Sequence, residues 1–243
     1  MFAEDEAALI LNDGRDIEML VSRREKGEPL AHVLGWAEFG GLTVEVDRGV
    51  FVPRPQTVAL AEAAAALAPS VAVDLFAGAG AVASVVAARN PGSRVVAGEL
   101  EVTACLRGNA LRYGFEVVAS DVDSGVPPEL EGSVDVLTAN VPYVPTAELE
   151  YVPHDGEPLS ALDGGADGLD WTRRLLACAP RWLRPSGVLL TEVGEPQFDA
   201  ACALARAAGF DVDQRDVSGL RRRVVVVSVR APERLIVDSS VPR

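Results

Sequence analysis

The amino-acid sequence predicts an α/β fold with a doubly wound, mostly parallel sheet of seven strands that ends in an antiparallel hairpin. Three observations predict it. Short β-branched runs alternate with helical stretches, a glycine-rich turn follows the first of these runs, and the last two strands follow each other directly. Such alternation is typical of parallel strands whose crossover helices cover both faces of the sheet. The length of 243 residues suits one domain with a small addition.

The N-terminal part departs from this alternation. Residues 3–25 carry apolar side chains at helical spacing and predict one amphipathic helix, interrupted near Asn12-Asp13-Gly14. From Trp36 to Pro53 apolar and polar residues alternate around a turn at Asp47-Arg48-Gly49, which predicts a β-hairpin. We therefore divide the chain into a short helical arm (1–35), a β-hairpin linker (36–56), the α/β domain (57–230) and a disordered tail (231–243).

The α/β pattern begins at residue 71. Its predicted strands are Val71–Phe76, Arg94–Leu100, Glu116–Ala119, Val134–Thr138 and Gly187–Val193. Its predicted helices are Ala81–Arg89, Val102–Tyr113, Leu169–Leu183 and Gln197–Ala208. Phe210–Val217 and Arg223–Val229 have only Ser218-Gly219-Leu220 between them, so we expect these two strands to pair antiparallel.

Composition limits the partners and the compartment. The chain has 22 Lys and Arg residues against 36 Asp and Glu residues, a formal net charge of −14. Because nonspecific binding to nucleic acid needs clustered cations, direct nucleic-acid binding is not expected. Cys105, Cys178 and Cys202 are odd in number and widely spaced, which argues against a disulfide framework or a zinc pattern and favours the cytoplasm. No apolar stretch is long enough to predict a membrane span.

The first strand of the α/β domain leads into a candidate cofactor site. Asp74 lies near the end of this strand, and the turn Phe76-Ala77-Gly78-Ala79-Gly80 precedes a helix. Ligands of doubly wound sheets bind at the carboxyl ends of such strands. Gly78 and Gly80 permit positive φ and a close approach of the backbone to a ligand, while the Asp74 carboxylate could accept hydrogen bonds from an ammonium group or a water.

The ends of the next two strands add acidic residues. Glu99, followed by Leu100, lies about twenty residues further on, where an acidic residue accepts hydrogen bonds from ribose hydroxyls in nucleotide-binding folds. Asp121, followed by Val122, follows the third strand and could accept a hydrogen bond from an adenine amino group or serve as a helix cap or turn residue. Ala83 replaces the third glycine of a dinucleotide motif, and no P-loop lysine follows, so the pattern favours S-adenosylmethionine, which needs no pyrophosphate site.

A second candidate site follows the fourth strand, at the same edge of the sheet. The loop Asn140-Val141-Pro142-Tyr143 offers the Asn140 side-chain oxygen and the Val141 carbonyl as acceptors for the two N–H groups of a planar amide. Tyr143 could pack against the face of that amide, and Pro142 would stiffen the loop. Amide nitrogens are poor nucleophiles, so orientation of the acceptor is the help such a loop can give.

These features resemble the class I (Rossmann-like) methyltransferases, and the loop is similar to the Asn-Pro-Pro-Tyr motif of enzymes that methylate glutamine amides or base amino groups. An extended resemblance, from about Arg24 to Val229, points to the HemK/PrmC family of release factor glutamine N5-methyltransferases. The segments that carry it are Gly27–Gly35, Glu38–Leu42, Val52–Thr57, Ala161–Asp170 and Glu192–Gln197. The chain departs from the family at four places: Val141 replaces the first proline, Gln56 replaces a glutamate, the stretch Glu99–Val102 is about two residues shorter, and about one N-terminal helix is predicted where the family has several.

The resemblance implies a protein substrate of the release-factor kind, whose glutamine amide accepts a methyl group from S-adenosylmethionine. The loop Asn140–Tyr143 would be catalytic, with Asn140 also touching the cofactor, and Arg54 and Pro55 would join Asn140 and Tyr143 in binding substrate. An ion pair is an equal alternative for Arg54. Three other functions stay open: methylation of a small-molecule or peptide metabolite, methylation of nucleic acid, and cofactor binding without catalysis.

Overall fold

The computed structural model describes residues 3–151, 156–215 and 224–230. Three helices and a two-stranded antiparallel hairpin come first: α1 (Ala3–Leu11), α2 (Ile17–Glu25), α3 (Leu30–Leu34), β1 (Trp36–Phe39) and β2 (Leu42–Glu45). The helices of the larger unit are α4 (Val58–Ala66), α5 (Ala81–Arg89), α6 (Ala104–Tyr113), α7 (Asp170–Trp182) and α8 (Phe198–Ala207). Its strands are β3 (Val71–Leu75), β4 (Arg94–Glu99), β5 (Glu116–Ala119), β6 (Val134–Ala139), β7 (Leu183–Gly194), β8 (Asp211–Arg215) and β9 (Val224–Arg230).

The larger unit contains a seven-stranded sheet in the order β5-β4-β3-β6-β7-β9-β8. Strands β5, β4, β3, β6 and β7 run parallel, whereas β9 pairs antiparallel with both β7 and β8. The predicted mostly parallel sheet with a terminal antiparallel pair is therefore confirmed. The turn predicted at Ser218-Gly219-Leu220 and the tail from residue 231 lie outside the described residues.

Two apolar layers cover the faces of the sheet. Successive residues of a strand point to opposite faces, and Ala72 and Val73 accordingly belong to different hydrophobic clusters. The cluster around Ala72 includes side chains of α4, α5, α6 and the β1–β2 hairpin. The cluster around Val73 includes those of α7 and α8. Helices therefore pack on both faces, as the near-continuous apolar strands require.

Residues 3–25 form two helices, α1 and α2, where one was predicted, and the break between them, after Leu11, includes the interruption predicted near Asn12-Asp13-Gly14. The side chain of Asp16 accepts a hydrogen bond from the Met19 backbone N–H, which makes Asp16 the N-cap of α2. The helices of this arm pack around a small apolar cluster that includes Leu20 and Val33. Arg23 joins α2 to α3 through an ion pair with Glu28 and a hydrogen bond to the His32 carbonyl.

A buried asparagine connects the hairpin to the glycine-rich turn. The Asn109 side chain on α6 accepts a hydrogen bond from the Glu45 N–H (2.9 Å) and donates to the carbonyls of Glu45 (2.9 Å) and Ala79 (2.8 Å). Asn109 is fully buried and out of reach of water, so its amide group depends on these hydrogen bonds from the protein. The hairpin is thereby fixed beside the carboxyl end of β3.

Candidate active site

The strand order reverses between β3 and β6, and a cleft of about 270 Å³ opens at their carboxyl ends. This is the position where doubly wound sheets bind ligands. The predicted site residues that line the cleft are Arg54, Asp74, Phe76, Ala77, Gly78, Glu99, Leu100, Asp121, Val122, Asn140 and Pro142. The predicted residues Pro55, Gly80, Val141 and Tyr143 are adjacent in sequence to this set but do not line the cleft.

The turn after β3 adopts a tight, left-handed course. Phe76, Gly78 and Gly80 all have positive φ values, of 56°, 56° and 76°. The Phe76 ring makes an edge contact with Trp171, with ring centroids 5.4 Å apart. Gly80 is the N-cap residue of α5 and faces the interior, whereas Gly78 lies in the wall of the cleft.

We expect alanine at Gly80 to destabilise the fold more than alanine at Gly78. A side chain in the left-handed conformation costs about 1 to 2 kcal/mol at either position. At Gly80 the new Cβ would also lie 2.7 Å from Leu106 Cδ1 and 2.9 Å from Phe115 Cζ, while at Gly78 no atom lies within 4 Å. Overpacking adds about 1 to 3 kcal/mol. Urea unfolding of the two variants measures the difference, and equal losses would contradict the packing assigned to Gly80.

Asp74 is buried beneath the turn. Its carboxylate accepts hydrogen bonds from the Thr138 hydroxyl (2.7 Å) and the Ala83 N–H (3.2 Å). Burial raises the pKa of Asp74 to about 7; the two hydrogen bonds oppose this shift, and the negative charge of Glu99 adds to it. A carboxyl group with such a pKa at the bottom of a cleft is a typical feature of a functional site.

The raised pKa of Asp74 has a consequence for stability. Folded Asp74 holds its proton up to about pH 7, whereas the unfolded side chain loses it near its ordinary pKa of 3.8, so stability falls as pH rises between these values. Asp74→Asn removes this titration. Between about pH 5 and about pH 8 the free energy of unfolding of the native chain should fall by about 1 to 3 kcal/mol more than that of the variant. Denaturant unfolding at both pH values measures it.

Asp167→Asn is the control for this experiment. Asp167 is exposed and its pKa is lowered to about 2 by its hydrogen bond with Arg173, so its contribution is lost only as pH falls towards that value. The variant Asp167→Asn should therefore lose as much stability as the native chain between about pH 5 and about pH 8. A native pH dependence that survives in Asp74→Asn would contradict the assignment.

Glu99 closes the neighbouring part of the cleft. Its two carboxylate oxygens accept hydrogen bonds from the Gly78 N–H (2.6 Å) and the Leu100 N–H (2.8 Å). Asp121 is exposed and its carboxylate pairs with Arg174 at 3.1 Å. The backbone of Val122, the next residue, has a φ of 54°. These contacts bring the ends of β4 and β5 to one side of the cleft.

The loop after β6 forms the opposite side. The Asn140 side-chain N–H group donates to the Thr57 hydroxyl oxygen at 3.3 Å. Val141 is buried, and the Tyr143 carbonyl accepts a hydrogen bond from the Gln197 side chain at 2.8 Å. Gly168 packs so closely that a Cβ there would lie 2.3 Å from the Tyr143 carbonyl oxygen. The loop is therefore held from its start at Asn140 to its end at Tyr143.

Several residues of the site were not predicted. Glu157 is buried, accepts a hydrogen bond from the Val52 N–H at 2.7 Å and pairs with Arg54 at 2.5 Å, while the Arg54 guanidinium stacks over the Phe51 ring at 4.6 Å. The ion-pair alternative for Arg54 is thus present in the structure. Thr57 and the buried Glu192 were also missed as individual residues, although both lie within segments that carry the family resemblance.

Comparison with known proteins assigns the chain. No protein-family model matches it. It is 44% identical over 185 residues to the release factor glutamine methyltransferase of Mycolicibacterium smegmatis, covering 72% of this chain and 65% of that protein. The proteins of the same name from Geobacter sulfurreducens and Gloeobacter violaceus are both 37% identical, over 79% and 84% of this chain and 69% and 76% of their own lengths.

Solved structures share the fold. The hMettl16 catalytic domain in complex with a MAT2A 3′UTR hairpin superposes with a TM-score of 0.64 at 13% identity, covering 89% of this chain and 92% of that one. The E. cuniculi Mtq2-Trm112 complex, described as responsible for methylation of the eRF1 termination factor, superposes with a TM-score of 0.52 at 22% identity over 75% and 98%. At these identities the likeness concerns the fold alone.

The strand order, the glycine-rich turn and the cleft at the switch point define the class I, Rossmann-like methyltransferases, which use S-adenosylmethionine. The sequence identities then assign the particular family: this chain belongs to the release factor glutamine methyltransferases. It spans 65% of the length of the M. smegmatis member. In the described part of the chain, no helix has the length and apolar character needed to cross a lipid bilayer.

Proposed function

We propose that this protein transfers a methyl group from S-adenosylmethionine to the side-chain amide nitrogen of a glutamine in a peptide-chain release factor. Membership of the family supports the reaction. The observation that carries the proposal is Asn140: it lines the cleft, and its own N–H group is engaged by Thr57. Its side-chain oxygen is thereby left as the acceptor for a substrate N–H.

The residues present fit S-adenosylmethionine, which supplies an electrophilic methyl group when bound. The Glu99 carboxylate would accept hydrogen bonds from the ribose hydroxyls. The Asp74 carboxylate would accept them from the amino-acid ammonium group, directly or through water. Gly78 leaves its side of the cleft open, and a Cβ at that position would meet nothing within 4 Å. The proposed cofactor-binding set is Asp74, Phe76, Ala77, Gly78, Gly80, Glu99, Leu100, Asp121, Val122 and Asn140.

The acceptor half works by orientation. The Asn140 side-chain oxygen and the Val141 carbonyl would accept hydrogen bonds from the two N–H groups of the glutamine amide, which directs the nitrogen lone pair at the methyl group. As the new N–C bond forms, the methyl–sulfur bond would break, S-adenosylhomocysteine would leave, and one amide proton would pass to solvent. Pro142 lines the cleft beside them and would keep the loop stiff. Arg54, Pro55 and Tyr143 would complete the substrate-binding surface, with Arg54 held by Glu157.

The formal net charge of −14 supports a protein acceptor over nucleic acid.

We also propose a cytoplasmic location, since Cys105, Cys178 and Cys202 are free thiols, which a reducing compartment preserves.

The test offers three acceptors in separate reactions with methyl-labelled S-adenosylmethionine: purified bacterial release factor, total RNA and a protein-free extract of metabolites. We expect label in the release factor alone. Transfer into RNA or into a metabolite would overturn the substrate assignment. Cofactor binding without transfer to any acceptor would favour a protein that binds S-adenosylmethionine and does not methylate.

A further inference from the structure

A buried carboxyl group lies beside the start of the loop Asn140–Tyr143, here called the acceptor loop. Glu192 on β7 is 1% exposed, and neither of its oxygens has a hydrogen-bond partner among the described residues. Thr191 pairs with Ala139, the last residue of β6, in the parallel register of the two strands, so Glu192 follows on β7 beside the point where Asn140 leaves the sheet. Glu192 therefore neighbours the start of the loop proposed to bind the substrate amide.

Such a group is costly to bury. A carboxylate without hydrogen-bond donors loses its hydration, and burial raises the pKa of Glu192 to about 7. The side chains of Thr57 and Tyr143 lie near the carboxyl group and act in the opposite direction, because they favour its charged form. Leucine at this position would avoid the cost of burial, so the presence of a glutamate calls for a functional reason.

The reason lies in the direction of the hydrogen bonds. A hydroxyl group has one proton, and a carboxylate only accepts, so the Thr57 proton points to Glu192 when these two groups engage. The Thr57 oxygen is then an acceptor towards Asn140, and the Asn140 N–H group donates to it at 3.3 Å. The Asn140 amide is thereby restricted to one of its two orientations. A protonated Glu192 still keeps one acceptor oxygen.

We propose that Glu192 is a positioning residue that acts through Thr57 to hold the Asn140 amide with its oxygen towards the methyl acceptor. The inference rests on the proposed amide methylation. Tyr143 gives Glu192 a second point of contact, at the far end of the acceptor loop. Glu192 would thus fix both ends of the loop without touching either substrate.

The first test separates positioning from stability. Glu192→Leu should lower kcat by roughly 30- to 100-fold, the size expected when a reacting group is misplaced. The KM for S-adenosylmethionine should stay within about 2-fold, because the cofactor contacts are intact. Tm should be unchanged or higher, since an unpartnered buried carboxyl group is removed. Glu192→Gln keeps an acceptor oxygen and should retain activity within about 5-fold.

Thr172→Val is the matched control. Thr172 on α7 is also buried, with a hydroxyl that has no hydrogen-bond partner among the described residues. Its replacement removes an unpartnered polar atom from a different element, α7, and should leave kcat unchanged. Equal losses of kcat in Glu192→Leu and Thr172→Val, or a Glu192→Leu enzyme with native kcat, would overturn the proposal.

A second readout does not depend on catalysis. In asparagine-labelled protein, solvent exchange of the Asn140 side-chain amide protons should be on the order of 10-fold faster in Glu192→Leu than in the native chain. Unchanged exchange would contradict the assigned role. If the native protein transfers no methyl group to a release factor, the proposed function fails, and the exchange comparison still decides whether Glu192 orients Asn140.

Discussion

Replacing Asn140 with alanine is expected to lower kcat for methyl transfer by roughly 10²- to 10³-fold, the range measured when one oriented hydrogen-bonding group is removed from an active site. The variant loses the acceptor for a substrate N–H and the tether to Thr57. The affinity for S-adenosylhomocysteine should fall by no more than about 10-fold, the loss of one neutral hydrogen bond, because Asp74 and Glu99 remain in place. Single-turnover kinetics and calorimetric titration measure the two effects separately.

Asn90→Ala serves as the matched control for this variant. Asn90 is the C-cap residue of α5, and its side chain donates to the Val86 carbonyl at 3.0 Å, remote from the cleft lining. Its replacement should cost some stability and leave kcat unchanged. If Asn140→Ala retained activity within about 3-fold of the native enzyme, the acceptor role assigned to the loop would be untenable.

Replacing Glu99 with alanine is expected to weaken binding of S-adenosylmethionine by about 100-fold or more. Hydrogen bonds to charged groups contribute about 1.5 to 3 kcal/mol each, and Glu99 would accept two from the ribose. The same carboxylate also fixes the Gly78 N–H at 2.6 Å, so the glycine-rich turn loses one of its supports in the variant. Calorimetric titration with S-adenosylhomocysteine gives the change in Kd.

The control for Glu99 is Glu116→Ala. Glu116 begins β5 at the edge of the sheet, where it is exposed and pairs with Arg94 at 2.8 Å. An exposed ion pair contributes little to stability, so neither the fold nor the Kd should change measurably. Native affinity in Glu99→Ala would exclude Glu99 as the ribose ligand and direct attention to the neighbouring acidic residue, Asp121.

Local sequence patterns predicted the larger unit well. Helix α5 and strand β5 have the bounds predicted from the sequence. A glycine in the left-handed conformation lies just before each of them, Gly80 before α5 and Gly114 before β5. Residues 3–25 form two helices rather than one because Asp16 caps a new helix beyond the predicted interruption, and the spacing of apolar residues does not record a cap. Strand β7 starts earlier than predicted, at Leu183, where it pairs with Val134 of β6.

The site was predictable in part. Residues within two positions of a strand end, such as Asp121 and Asn140, reach the cleft because strand ends converge there. Glu157 and Glu192 could not be assigned from spacing, since their partners are distant in sequence: Val52 and Arg54 for the first, Thr57 and Tyr143 for the second. Such contacts follow from the tertiary packing.

The central claim is that a glutamine amide accepts the methyl group. Tandem mass spectrometry of a release factor, treated with the enzyme and isotope-labelled S-adenosylmethionine, tests it most directly. We predict one labelled methyl group on the side-chain nitrogen of a single glutamine, absent from the reaction with Asn140→Ala. Label on a lysine, an arginine or a chain terminus, or an unmodified release factor in the presence of the native enzyme, would contradict the account.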